Sequence, residues 1–133
     1  MILYHGSPYD INILIPVKGN GRNSFENLKA VFLTKTFLHA SLYAIGKTLK
    51  GKTTFGISEN KLVILERNDL DLKQGYVYKV DIDNPIKGEG GQFAYQKPCI
   101  PIEKKIVNVN QIKNHIYYVK NTKDMLKLLK KRD

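Results

Sequence analysis

The stretch Ala30-Val31-Phe32-Leu33-Thr34-Lys35-Thr36-Phe37-Leu38-His39-Ala40-Ser41-Leu42-Tyr43-Ala44-Ile45 decides how this chain is read. Ala30–Leu33 is a brief apolar run of the kind that forms a buried strand. Beyond it the period changes: Phe37, Leu38, Leu42, Ile45 and Leu49 recur at three- and four-residue steps, which is one face of a helix. Thr34 or Thr36 can cap that helix, because a threonine oxygen accepts from the open N–H groups of a first turn. Gly51 is a plausible stop.

Working outward, Met1–Tyr4 is a short apolar strand halted by the turn-like His5-Gly6-Ser7-Pro8, and residues 18–24 are a polar, glycine-bearing loop. Downstream the chain is mostly strands. Leu62–Leu65 is an unbroken apolar run, and Tyr76–Asp81 is β-branched and aromatic, bounded by Gly75 and Asn84-Pro85. Lys87–Gly91 is a flexible loop. Phe93–Tyr95, Cys99–Ile102, Ile106–Val109 and Ile116–Val119 are further strand candidates, with Pro98 and Pro101 confining Cys99–Ile102 to an edge or a break. Thr122 is placed to cap a last amphipathic helix carrying Met125, Leu126, Leu128 and Leu129 beside five basic side chains. One helix followed by many short strands is not a doubly wound pattern. It predicts an α+β fold: a split, mostly antiparallel sheet, a helix after the second strand and a C-terminal helix.

Composition narrows the class. At 133 residues there is room for one domain, 1–133, with one core. A hydrophobic content of 42% argues against disorder. The lone Cys99 cannot form an internal disulfide, and no apolar run approaches bilayer length, so the expectation is a cytoplasmic protein that does not engage membranes. Cys99, among apolar and proline neighbours, reads as a small buried filler. The formal charge is +10; residues 104–133 hold nine basic and two acidic side chains, a net of +7, leaving +3 for residues 1–103. A basic face over residues 104–132 could meet nucleic acid or an acidic partner. Lysine supplies nearly all of it, however, with only Arg22, Arg67 and Arg132 as arginines, and lysine is the poorer base reader. A solvated helix face explains the same charge.

The residues that carry chemistry are few. His5, His39 and His115 are scattered, no metal is expected, and Gly88-Glu89-Gly90-Gly91 lacks the strand–loop–helix setting of a phosphate loop. What remains is a spaced set: Leu3-Tyr4-His5-Gly6-Ser7, then Val31-Phe32-Leu33-Thr34, then Ala40-Ser41-Leu42-Tyr43-Ala44. Taken singly, His5 reads as a turn residue and Tyr43 as core.

Together, over residues 2–45, they resemble the ADP-ribosyltransferase superfamily, in its poly(ADP-ribose) polymerase and diphtheria-toxin branch. There a hydrophobic-Tyr/Phe-His-Gly-Ser strand end precedes a Gly-Ile-Tyr-Phe-Ala type strand and a helix bearing Ser-Ala-x-Tyr. Phe32 falls where the family has its strand tyrosine and Tyr43 where it has its helix tyrosine. The resemblance implies NAD as substrate and an unknown macromolecular acceptor of ADP-ribose. It implies that Gly6 holds the nicotinamide carboxamide by its backbone, that His5 bonds ribose hydroxyls, and that Tyr43 stacks on the nicotinamide ring, with Ser7 and Thr34 as secondary contacts. The family's catalytic glutamate falls on Gln92, opening Gln92-Phe93-Ala94-Tyr95 after a glycine loop; Glu103 is the alternative. Glutamine can hold a hydroxyl but carries no charge, so the resemblance leaves transfer or a catalytically degenerate domain open. A non-enzymatic basic module and an NAD-dependent RNA 2'-phosphotransferase are the rival expectations.

Overall fold

A computed structural model describes residues 1–21, 23–66 and 72–130, without the side chain of Lys130. Among the described residues there are ten strands: β1 (Ile2–Ser7), β2 (Val17–Lys18), β3 (Lys29–Thr34), β4 (Phe55–Ile57), β5 (Leu62–Leu65), β6 (Gly75–Asp81), β7 (Ile86–Lys87), β8 (Gln92–Tyr95), β9 (Glu103–Val107) and β10 (Ile116–Val119). Two α-helices join them, α1 (Phe37–Gly46) and α2 (Thr122–Lys130), with 3₁₀ segments at Lys47–Leu49 and Val109–His115.

The strands make two sheets. The larger runs β7-β8-β3-β1-β6-β9, with β2 appended to β3, and all its pairs are antiparallel. The smaller runs β10-β5-β4, with β10 parallel to β5 and β4 antiparallel to it. The chain is therefore α+β with mostly antiparallel sheet.

Helix α1 lies between the two sheets and is buried on most of its circumference. Ala40, Leu42, Ala44 and Ile45 pack with Leu62 and Ile64 of the small sheet and with Val77 and Val107 of the large one. That is why its apolar residues run almost all round rather than in one stripe. The opposite face of the large sheet carries Leu3, Val31, Leu33, Tyr78, Val80 and Phe93, closed over by Leu14, whose backbone bridges that of Cys99. Cys99 packs there half-buried, and burial pushes its thiol up, as a filler should. Val63, Val119 and Met125 form a third cluster under α2.

Several local expectations are corrected. β1 runs through His5-Gly6-Ser7 instead of stopping at Tyr4, because β6 offers Tyr78, Val77 and Tyr76 as register partners. The tiny β2 puts α1 after the third strand, and the helix ends at Gly46, with Gly51 (φ 81°) in a later turn. Of the two candidate caps, Thr36 acts: its Oγ1 accepts from His39 N–H at 3.1 Å. Cys99–Ile102 is not a strand, and Val109 belongs to a 3₁₀ segment. Asn121, not Thr122, caps α2 through its Oδ1 on Asp124 N–H at 2.9 Å. Leu126 faces out, since at 100° per residue it lies off the face shared by Met125 and Leu129.

Helix α1 approaches β1 backbone to backbone. A Cβ on Gly6 would lie 2.0 Å from Ala40 O and 2.8 Å from Ala44 N; one on Gly75 of the neighbouring β6 would lie 2.6 Å from Ala44 O. Only hydrogen fits at these two places, so the helix backbone rests directly on the sheet. Gly6→Ala should cost about 1–3 kcal/mol or more, because the atoms its methyl would meet are backbone that cannot turn aside. Urea unfolding measures this, and an unchanged midpoint would contradict the contact.

Candidate functional site

A cavity of about 240 Å³ opens where α1 crosses the large sheet, lined by Gly6 of β1, Phe32, Leu33 and Thr34 of β3, Tyr43 and Lys47, Gln92 of β8, and Gly19, Asn20, Gly21 and Glu26 of the β2–β3 connection. The register explains the convergence. Thr34 pairs with Gln92 on one side and with Tyr4 on the other, so these three stand in a row on one face of the sheet, and Gly6 and Phe32 follow at the two-residue period. Tyr43 reaches the same face from α1. Gln92 Nε2 donates to Tyr43 Oη at 2.8 Å, tying β8 to the helix.

Gly6 presents more than empty space. Ile82 N–H donates to Met1 O, so by the alternation of an antiparallel ladder the backbone groups of Leu3 and His5 face β6 while those of Tyr4 and Gly6 face β3. β1 meets β3 at Tyr4↔Thr34, and Gly6 lies past that pairing. Its N–H and C=O are thus directed into the opening between the two strands, where Lys47 Nζ approaches the carbonyl at 3.4 Å.

The same alternation separates His5 from Gly6. The His5 ring does not line the cavity. Its Nδ1–H donates to Phe32 O at 2.7 Å, filling the gap where β1 and β3 part, and its ring lies 6.4 Å from that of Tyr78. Burial, the Lys47 charge nearby and, opposing them, the Phe32 bond bring its pKa down to about 4. Ser7 is likewise used locally, its Oγ accepting from Tyr9 N–H at 3.0 Å. Thr34 Oγ1 donates to Thr36 O at 3.1 Å at the cavity edge. Glu103 opens β9, with β3, β1 and β6 between it and β8, and pairs with Lys79 (3.8 Å) and Lys105 (3.6 Å). It cannot share a site with Tyr43; Gln92 does.

Three side chains of the site escape the sequence pattern. Lys47 lies one turn beyond Tyr43, its Nζ 5.5 Å from the ring centroid, and burial followed by the charge of Lys50 lowers its pKa to about 8. The i, i+4 step from Tyr43 was the signal available. His39, one turn before, stacks on Tyr43 at 5.2 Å; it is buried, its Nε2 has no hydrogen-bond partner among the described residues, and burial lowers its pKa against the charge of Glu59. Glu26 sits in a connection read only as polar loop. Tyr43 is raised to about 12, by burial first and by Glu26 second.

No protein-family model, curated protein or solved structure gives a significant match to this chain.

The basic C-terminal region holds no comparable cavity-facing set. Lys104 bonds Asp10 and Lys105 pairs with Glu103, while Lys113, Lys120, Lys123 and Lys127 are exposed; Lys131 and Arg132 lie outside the described residues, as do Arg22 and Arg67. Among the described residues no helix is long and apolar enough to cross a membrane.

The depressed His5 pKa makes stability pH-dependent. Between pH 6.5 and about 4 the unfolded chain takes up the His5 proton and the folded chain refuses it, so stability falls as pH falls through that window, by about 3 kcal/mol from this group. Denaturant unfolding of wild type and His5→Asn across this range should show the variant lacking that portion of the loss. Parallel pH curves would contradict the half-buried, neutral imidazole.

Proposed function

We propose that this chain is an NAD-binding protein of the ADP-ribosyltransferase type, transferring ADP-ribose to a macromolecular acceptor or retaining the NAD site in degenerate form. One observation carries the reading: Gly6, Tyr43 and Gln92, drawn from a strand, a helix and a distant strand, line one cavity, and two of them are hydrogen-bonded. These are the positions that the family resemblance assigns to the carboxamide, the nicotinamide ring and the reacting sugar.

The chemistry of each fits its place. A carboxamide needs one donor and one acceptor at fixed geometry, and the N–H and C=O of Gly6 offer both at the cavity wall. The Tyr43 ring, half-buried and braced between His39 and the Gln92 amide, offers a flat stacking face. Lys47 gives the cavity a cation, protonated at neutral pH and available to a phosphate oxygen. Phe32 takes the place of the family's tyrosine and supports this reading in another way: its ring packs edge-on against Phe25 at 5.8 Å, anchoring the β2–β3 connection that walls the cavity. The cavity is smaller than the roughly 300–1,000 Å³ usual for drug-sized ligands, so it suits the nicotinamide end of NAD, with the remainder along the open mouth.

NAD should raise the melting temperature of the purified chain, since a ligand at a hundred times its Kd stabilises the folded state by about 2.7 kcal/mol. Tyr43→Ala should weaken that binding about three- to tenfold, the loss of one aromatic stacking contact. No shift with millimolar NAD would refute the reading.

A further inference from the structure

Position 92 is the weak point of an NAD-cleaving site, because an amide cannot stabilise a cation as an anion does. When the bond between the ribose anomeric carbon and the nicotinamide nitrogen breaks, its electron pair neutralises the pyridinium nitrogen and the sugar becomes oxocarbenium-like. A negative group beside that sugar lowers the barrier. Among the described residues lining the cavity there is one carboxylate, Glu26.

Glu26 is held there by the construction of its loop. A Cβ on Gly19 would lie 2.0 Å from Glu26 O, and a Cβ on Gly21 would lie 2.2 Å from Glu26 Cβ and 2.3 Å from its Oε1. The two glycines are therefore the seat of the glutamate: its backbone lies across one and its side chain along the other. Asn27 cross-braces the loop, accepting from Gly21 N–H at 3.1 Å and donating to Gly21 O at 3.0 Å and Asn23 O at 2.9 Å. Asn23 Oδ1 accepts from Glu26 N–H at 2.8 Å. The neighbouring Phe25 packs on Phe32, and a Cβ on Gly88 would lie 2.5 Å from its ring. The loop is closed at its base by Gly19 N–H on Leu28 O at 2.9 Å, beside the β2–β3 pairing. A surface loop does not need this much bracing for solubility. It presents one carboxylate to the wall that Tyr43 and Gln92 share, and the field of that carboxylate is felt at the Tyr43 hydroxyl.

We infer that Glu26, reaching in from the β2–β3 connection, is the catalytic anion of this cleft, supplying the charge that Gln92 lacks. The inference rests on the NAD-site reading. In the step it serves, the glycosidic bond breaks with its pair going to nicotinamide. The oxygen of a water or an acceptor hydroxyl bonds to the anomeric carbon, and the proton released passes to the Glu26 carboxylate and then to solvent. Gln92 keeps a hydrogen-bonding role toward a sugar hydroxyl, and its amide holds Tyr43 in place.

The test is nicotinamide release from NAD by the full-length protein, with NAD binding followed in parallel by thermal shift. Glu26→Gln is isosteric and should keep the loop and the NAD-induced shift, while lowering release about a hundredfold, as removal of one stabilising group from a preorganised site does. The double variant Glu26→Gln/Gln92→Glu should recover release to within about tenfold of wild type, because it moves the charge to the opposite wall of the same cavity. An NAD-induced shift retained in Glu26→Gln while release falls separates loss of the charge from loss of the loop, which a merely structural role of Glu26 would not do. Glu103→Gln, across the sheet, should release nicotinamide at the wild-type rate. Undiminished release by Glu26→Gln overturns the assignment and leaves the NAD site standing. Wild type that binds NAD without releasing nicotinamide does the same. Wild type that fails to bind NAD removes the reading beneath it, and the role of Glu26 with it.

Discussion

The site depends on the contact between the backbone of α1 and the backbone of β1. Gly6 admits Ala40 O to a distance at which no side chain fits, and Gly75 does the same for Ala44 O on the adjacent strand. Because the helix lies this low, Tyr43 reaches the sheet face on which Thr34 and Gln92 stand. A helix seated a side chain's thickness higher would carry Tyr43 out of reach of Gln92, and the cavity would become an open groove. The apolar residues around the rest of α1, packed on both sheets, hold it down.

Given that seat, the divergence of β1 from β3 becomes useful. Past Tyr4↔Thr34 the strands part, and the free backbone edge of Gly6 looks into the gap. His5 closes the other side, its ring standing in for the missing strand by taking the Phe32 carbonyl. A half-buried imidazole held neutral is the energetic cost of that opening, and Lys47, whose charge reaches His5, adds to it. The cleft carries a cation from the 3₁₀ segment after α1 and an anion from the β2–β3 connection. Such an arrangement suits a ligand that is anionic at its phosphates and becomes cationic at its sugar.

Much of this was legible in the sequence because it follows from period. The switch from apolar run to helical spacing after Leu33 located α1, and Leu62–Leu65 and Tyr76–Asp81 fell on real strands. Of the spaced set, Gly6, Phe32, Thr34 and Tyr43 line one cavity with Gln92 from farther on, while His5 and Ser7 do not. What failed did so for want of tertiary information. His5-Gly6-Ser7 looks like a turn until β6 supplies partners, and strand alternation then puts His5 and Gly6 to different uses. Lys47 and Glu26 left no signature of their own: a lysine after a helix and a glutamate in a polar loop are ordinary surface residues until the fold turns them inward. Gly19 and Gly21 hinted at a shaped loop, but nothing in one dimension shows that Glu26 is what they make room for.

The central claim is that the Gly6 edge and the Tyr43 face form one nicotinamide-binding wall. A crystal structure of the full chain grown with nicotinamide tests it most directly. The account predicts the pyridine ring stacked on Tyr43, with its carboxamide donating to Gly6 O and accepting from Gly6 N–H, displacing the Lys47 contact at that carbonyl. Nicotinamide bound elsewhere, or a β1–β3 opening closed by strand pairing at Gly6, would contradict it.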